Sequence, residues 1–331
     1  MGRRLVGMDE LVEHWTVLPD EDALLFGRHQ DTKLAFALML KFYTFHGRFP
    51  RRRFEFAEEV VEHVAAQLKL PASGFGLYNW SGRTSKEHRK QIRAHLGFRE
   101  CSVADADKLA EWLAVNVAHA ERDADRARGE LLKKMSEERI EPPTDGRVGR
   151  VVSAALSTAE KTWFARIEAR IGTEPGGRLL ALVGWGELDV EQVGTEEDPY
   201  DSPESVFSRI RAAAGRVSLE SMIAEMDKLL SVRAVEVPDG VFADVAPKVL
   251  AGWRVRCAVE SPSHLRRRSR ESAVTLLAAL LHAREREITD DLTDLLIGTV
   301  HRIDARAHKK GSSPACVGQP VLINEKRRAP L

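Results

Sequence analysis

Between Arg83 and Arg99 six lysines and arginines stand against one acid, in a chain of 331 residues whose 50 basic and 50 acidic side chains otherwise cancel. Within that stretch Lys86, Arg89, Lys90 and Arg93 recur at i, i+3, i+4 and i+7, which lays four cations along one stripe of a helix. The chemistry open to such a stripe is ionic and hydrogen-bonding contact with phosphates and base edges, and a short cationic helix fits the DNA major groove. A solvated charged face is the competing reading. Thr84 followed by Glu87 has the form of a capping box, so the helix is expected to start at Ser85 and to end at Gly97, with Ile92 and Leu96 anchoring it about a quarter-turn from the stripe.

Two further groups of cations belong with this stripe. Arg51, Arg52 and Arg53 follow Pro50 at the expected start of the next helix, where the helix dipole disfavours positive charge, so they and Arg83 are expected on phosphates. Arg147 and Arg150 fall in the first turns of a long helix that Thr144 is expected to cap, where a second reading helix would place its contacts. For Arg266, Arg267, Arg268 and Arg270 a solvated loop is favoured over a phosphate clamp.

The residues carry no catalytic constellation. Asp290, Asp291 and Asp294 share one short helical segment, whereas a metal-dependent nuclease needs carboxylates converging from several elements. His264 and Arg267 have the spacing of a tyrosine recombinase pair, but Tyr43, Tyr78 and Tyr200 all lie upstream of it. Cys101, Cys257 and Cys316 are isolated, which suggests neither a zinc site nor a disulfide framework and suits a reducing cytoplasm. No cofactor is indicated, and no apolar run is long enough for a signal peptide or a membrane span.

The elements that must position the cations read as all-α. Residues 32–46 form a helix capped by Thr32 and apolar over much of its circumference; Phe54–Leu70 form an amphipathic helix; Pro71, Gly74 and Gly76 make a break before the cationic helix. Helix, break and cationic helix is the order of a helix-turn-helix reader. Tyr78 and Trp80 are expected to wedge into the local core. Helices starting at Ser102 and near Ala124 lead to the long one after Thr144, and Thr173–Gly177 is the expected linker. No Lys or Arg falls between Leu179 and Ser208, where acids accumulate; helices resume at Ser205 and lose their period at His308. In the last of them positions 292, 295, 296, 299, 300 and 303 form an apolar face suited to a partner.

Several of these segments together resemble the N-terminal region of the Tn3-family transposases. The resemblance is carried by HGRFP at 46–50, by Tyr78, Trp80, Gly82, Arg83, Thr84, Lys86, His88, Arg89, Ile92 and Arg93, by LGFR at 96–99, and by IEPPT and GR at 140–147. It continues through VFADVAPKVL at 241–250, ESPSHL at 260–265 and EITDDLTDLLIGTVHRIDARA at 287–307, so it covers roughly residues 10–307. Gly149 and Ser153 depart from the more basic pattern of the family. The resemblance implies double-stranded DNA binding at transposon terminal inverted repeats, with strand transfer belonging to a later RNase-H-like domain, and hence a chain that is a truncated transposase and not an enzyme. The expected organisation is a first helical DNA-binding unit over 1–100, a second over 101–172, a linker with an acidic loop over 173–204, a helical linker or dimerisation region over 205–307, and a disordered tail over 308–331. Pairing with itself or with a full-length transposase, as a module that dampens transposition, is the alternative role.

Overall fold

The computed structural model describes residues 6–186 and 198–311. It is all-α apart from one pair of two-residue strands, and it divides between Thr162 and Trp163 into two compact units.

In the first unit, α1 (Met8–Trp15) and α2 (Pro19–Asp22) pack on α3 (Gln30–His46), which α4 (Glu58–Leu68) and α5 (Arg83–Leu96) also flank. The apolar side chains that crowd much of the circumference of α3 bury it from Leu34 to Tyr43, with Leu34, Phe36, Leu38, Leu40, Phe42 and Tyr43 all buried, and only its ends, including Phe45, reach solvent. Thr32 is not its cap; α3 starts at Gln30, and the Thr32 hydroxyl donates to the His29 carbonyl at 3.0 Å. Lys41 of α3 is driven inward and donates to both oxygens of Glu21 at 3.0–3.1 Å, and Glu21 also takes the Leu18 amide at 2.8 Å. This buried pair fixes α2 on α3. Glu21→Ala leaves the Lys41 ammonium buried and uncompensated and is expected to cost on the order of 3–5 kcal/mol in urea unfolding, whereas Glu21→Leu with Lys41→Met should cost much less.

A second core in this unit forms between α6 (Val103–Asn116), α7 (Ala124–Glu137) and α8 (Asp145–Ile171), from Leu109, Leu113, Leu131, Met135, Val148 and Val152. The side chain of Ser102 caps α6 in a box with Asp105, and Asp123 caps α7 through the Asp125 and Arg126 amides. The two cores are joined by β1 (Arg99–Glu100) and β2 (Ile140–Glu141), parallel, with Arg99 opposite Ile140. Strands this short carry no period-two signal and were not expected.

In the second unit α9 (Thr173–Ala181), α10 (Val206–Arg211), α11 (Leu219–Arg233) and α12 (Pro247–Val259) surround the first half of α14 (Arg270–Gly311), with α13 (Pro262–Arg266) before it. Two expectations are corrected here. Thr173–Gly177 is not a linker but the start of α9; Pro175 lies in a first turn, where no amide donor is needed, and Gly172 at φ +81° supplies the break from α8. The last helix, α14, passes His308, where the period was expected to be lost, and runs to Gly311; the rest of the expected tail lies outside the described residues. On α11 the apolar positions do not form the buried side. Leu219, Ile223, Met226 and Leu230 are 52–70% exposed, while Glu225 and Lys228 are buried. The reason is local: the Lys228 ammonium donates to Glu225 at 2.6 Å and to the Ala212 carbonyl at 3.0 Å, satisfying the chain end after α10.

Part of the acidic segment, residues 187–197, lies outside the described residues. Its next acid, Asp198, accepts from Arg266 at 2.5 Å with both side chains buried, and Arg268 and Arg270 pair with Glu260 and Glu168. Three of the four cations after ESPSHL are thus held by acids of their own unit.

No helix among the described residues is long and apolar enough to cross a membrane.

Candidate nucleic-acid interface

The helix that carries the stripe is seated by its uncharged side. Ser85, His88 and Ile92 are its buried residues, recurring at i, i+3 and i+7. His88 meets the Phe36 ring edge-on at 5.1 Å, and its Nδ1 lies 2.9 Å from the Tyr78 hydroxyl. Burial, helped by the Arg28 charge, pushes the His88 imidazole down to about 4, so it is neutral near pH 7 and works as a polar core group. Tyr78 is buried as expected, and Trp80 packs on it edge-to-face at 5.0 Å. The helix begins at Arg83, earlier than expected. Gly82 is the N-cap with no side-chain cap bond, so the Thr84/Glu87 box does not form; Gly97, at φ +73°, closes the helix as expected. Residues 69–82, including a 3-10 turn (Ala72–Leu77), separate α4 from α5, and α5 packs on α3.

The four cations of the stripe divide into two kinds. Lys86 and Lys90 are exposed and make no hydrogen bond or ion pair among the described residues. Arg89 and Arg93 are half-buried. Arg89 donates to the Pro50 carbonyl at 3.0 Å with its guanidinium 5.5 Å from the Phe49 ring centre. Arg93, its side chain 12% exposed, bridges Glu141 at 2.8 Å and Glu100. Burial raises the Glu141 carboxyl above its usual range despite the opposing pull of Arg93.

The triple arginine is not at the start of α4. A 3-10 turn (Arg53–Glu55) intervenes, and the Glu55 carboxylate binds the Arg51 and Arg52 amides at 2.5 and 3.1 Å and the Arg48 guanidinium at 2.6 Å. Burial opposes its ionisation, but these hydrogen bonds outweigh burial and hold Glu55 below the usual carboxylate range. Arg52 is exposed, and Arg53 lies over the exposed Phe54 ring at 4.9 Å.

Between the two cores of the first unit runs a cleft of about 1180 Å³. Arg48, Arg51, Lys86, Arg89 and Arg93 line it from one side and Arg128 and Arg147 from the other, against three acids, Glu100, Glu141 and Asp145. The fold therefore brings together Arg51, Lys86, Arg89, Arg93 and Arg147 out of the sequence-derived set. Arg52, Arg53, Arg83, Lys90 and Arg150 are exposed but do not line the cleft. Arg147 reaches across to the Ser102 carbonyl at 3.1 Å. Sequence reasoning missed Arg128 and Asp145. Asp145, as the first residue of a long helix, was open to a helix-dipole argument, but its meeting with Arg51 and Arg128 is a property of the tertiary fold.

Among the described residues no group of three or more His, Cys, Asp or Glu side chains is placed to hold a metal ion. What the cleft offers is several guanidinium groups and one free ammonium at a partly exposed surface, the donor set that recognises phosphodiesters.

Residues 4–155, which contain the whole cleft, match a family described as a domain of unknown function (DUF4158). Over 306 residues, 91% of its length, the chain is 20% identical to the transposase for transposon Tn3926 of Escherichia coli. The chain resembles the N-terminal region of a Tn3-family transposase. It spans 30% of the length of that transposase. The likeness to that transposase runs over most of the chain.

Proposed function

We propose that this Tn3-family relative binds double-stranded DNA at transposon terminal inverted repeats, through the cleft between the two cores of its first unit. The observation that carries the reading is the convergence of cations from loop, α5, α7 and α8 on one partly exposed cleft in a chain with no net charge. Lys86 and Arg51 are the phosphate contacts of this reading, with Arg52, Arg53, Arg83 and Lys90 extending the track along the surface and Arg147 and Arg150 contacting DNA from α8. Arg89 is the candidate for base contact. The order of α4, turn and α5 serves as a helix-turn-helix variant with a long turn. The reading assigns recognition, not strand cleavage, to this chain. In a mobility-shift titration over salt, a duplex carrying transposon-end sequence should be retained at higher salt than a scrambled duplex; equal retention of the two contradicts the sequence-specific version.

A second reading is favoured by a separate observation in the second unit. Leu296, Val300 and Ile303 of α14 are 53–62% exposed, beside a similarly exposed apolar row on α11. In the expected face of α14, Leu295 is instead buried, and Thr299 is turned to Met222 of α11 at 3.6 Å. In this reading the exposed rows pair the chain with itself or with an intact transposase and dampen transposition. Co-purification with a full-length transposase that is lost on Val300→Asp with Ile303→Asp supports it; retention after both changes argues against it.

A further inference from the structure

We propose that the Asp145 carboxylate occupies a DNA phosphate subsite made by Arg51 and Arg128, and that the need to displace it is a brake on sequence-independent duplex binding. The inference rests on the duplex-binding reading of the cleft. Asp145 Oδ1 accepts from Arg128 Nη2 at 2.5 Å, and Oδ2 accepts from Arg51 Nη2. Two guanidinium groups, one from each core, thus converge on the two oxygens of a single anion, as they would on two non-bridging oxygens of a phosphate.

The three side chains are 34–53% exposed, so a phosphate can take the position without unpacking either core. Exposed ion pairs of this kind contribute little to folding, because solvent screens them and two long side chains lose freedom on pairing, which leaves the arrangement little structural purpose. Asp145 also differs from the other acids of the cleft: Glu141 and Glu100 share the half-buried Arg93, whereas Asp145 holds two cations that face solvent. Its place as the first residue of α8 suits any anion, its own carboxylate or a phosphate.

While Asp145 stays in place, a passing duplex meets one net charge here instead of two. A complex whose other contacts are well matched supplies the free energy to move it aside; a mismatched one does so less well. The expected signature is therefore a gain of non-specific affinity when the carboxylate is removed.

The test is fluorescence anisotropy of the full chain with a labelled random-sequence duplex, titrated over salt, for wild type, D145N, D145N/R128A and E130Q. Glu130 is an exposed acid on α7 that does not line the cleft. D145N is expected to bind about 3- to 10-fold tighter at low salt, with a salt slope steeper by about 0.9 for one further phosphate neutralised. Adding R128A should return both quantities to near wild type, and E130Q should leave both near wild type. D145S serves as a second replacement, with thermal melting by circular dichroism establishing that each variant is folded. Wild-type binding with no change in D145N, or an equal gain in E130Q, overturns the subsite while leaving the cleft reading intact. Absence of duplex binding by both wild type and D145N overturns both.

Discussion

Lys86→Ala with Lys90→Ala is expected to weaken binding of any duplex by about 10- to 100-fold at low salt and to make the salt slope shallower by about 1.8, since each lysine removed leaves one phosphate without its neutralising charge. Both ammonium groups are exposed and free of partners among the described residues, so their removal should leave thermal stability near wild type. The loss should be the same for target and scrambled sequence, because a point charge on a flexible stem reads the backbone and not the base. Unchanged affinity for both duplexes would mean that this side of α5 is a solvated face and would remove the main support for the cleft reading.

The second large effect is on folding. Arg93→Ala leaves Glu141 buried without its guanidinium partner and is expected to lower stability on the order of 3–5 kcal/mol at neutral pH. The sign of its pH dependence follows from the direction of the Glu141 shift. A carboxyl held above its ordinary value binds more protons folded than unfolded, so the folded state loses stability as pH rises from the unfolded value near 4.5 through the higher folded one. In Arg93→Ala the shift grows, and urea midpoints should fall as pH is raised from 4.5 to 7 more steeply than in wild type. Arg93→Met with Glu141→Gln should recover most of the loss and abolish the excess slope. An Arg93→Ala variant as stable as wild type at pH 7 would show that neither Glu141 nor Glu100 depends on this guanidinium and would overturn the expectation.

These two expectations treat as different two pairs of residues that the sequence made equivalent. At i, i+3, i+4 and i+7 the four cations are one stripe, and nothing local distinguishes Arg93 from Lys90. The distinction comes from β2, which brings Glu141 to α5 from residues far along the chain. Sequence patterning was informative where one helix decides the outcome: the largely buried α3, the Ser102 cap and the stop at Gly97 are all as their residue types dictate. It misled where two elements compete for a residue. The apolar row of α11 has a helical period, yet the carbonyls left at the end of α10 draw Lys228 and Glu225 to the buried side instead. The capping box before α5 likewise yields to an earlier start at Arg83, with Gly82 at the cap position. The cleft was not legible at all, since its lining is drawn from segments between His46 and Val148 that meet only through tertiary packing.

The short parallel pairing of Arg99–Glu100 with Ile140–Glu141 has a mechanical corollary. Each wall of the cleft has an apolar centre of its own. What spans them is a clasp of a few backbone bonds, such as the Arg99 amide on the Arg139 carbonyl at 2.9 Å, together with charged side chains that water can replace. For the proposed duplex, walls joined in this way impose no rigid spacing: what must give on widening is hydrogen bonds and exposed ion pairs, not apolar packing.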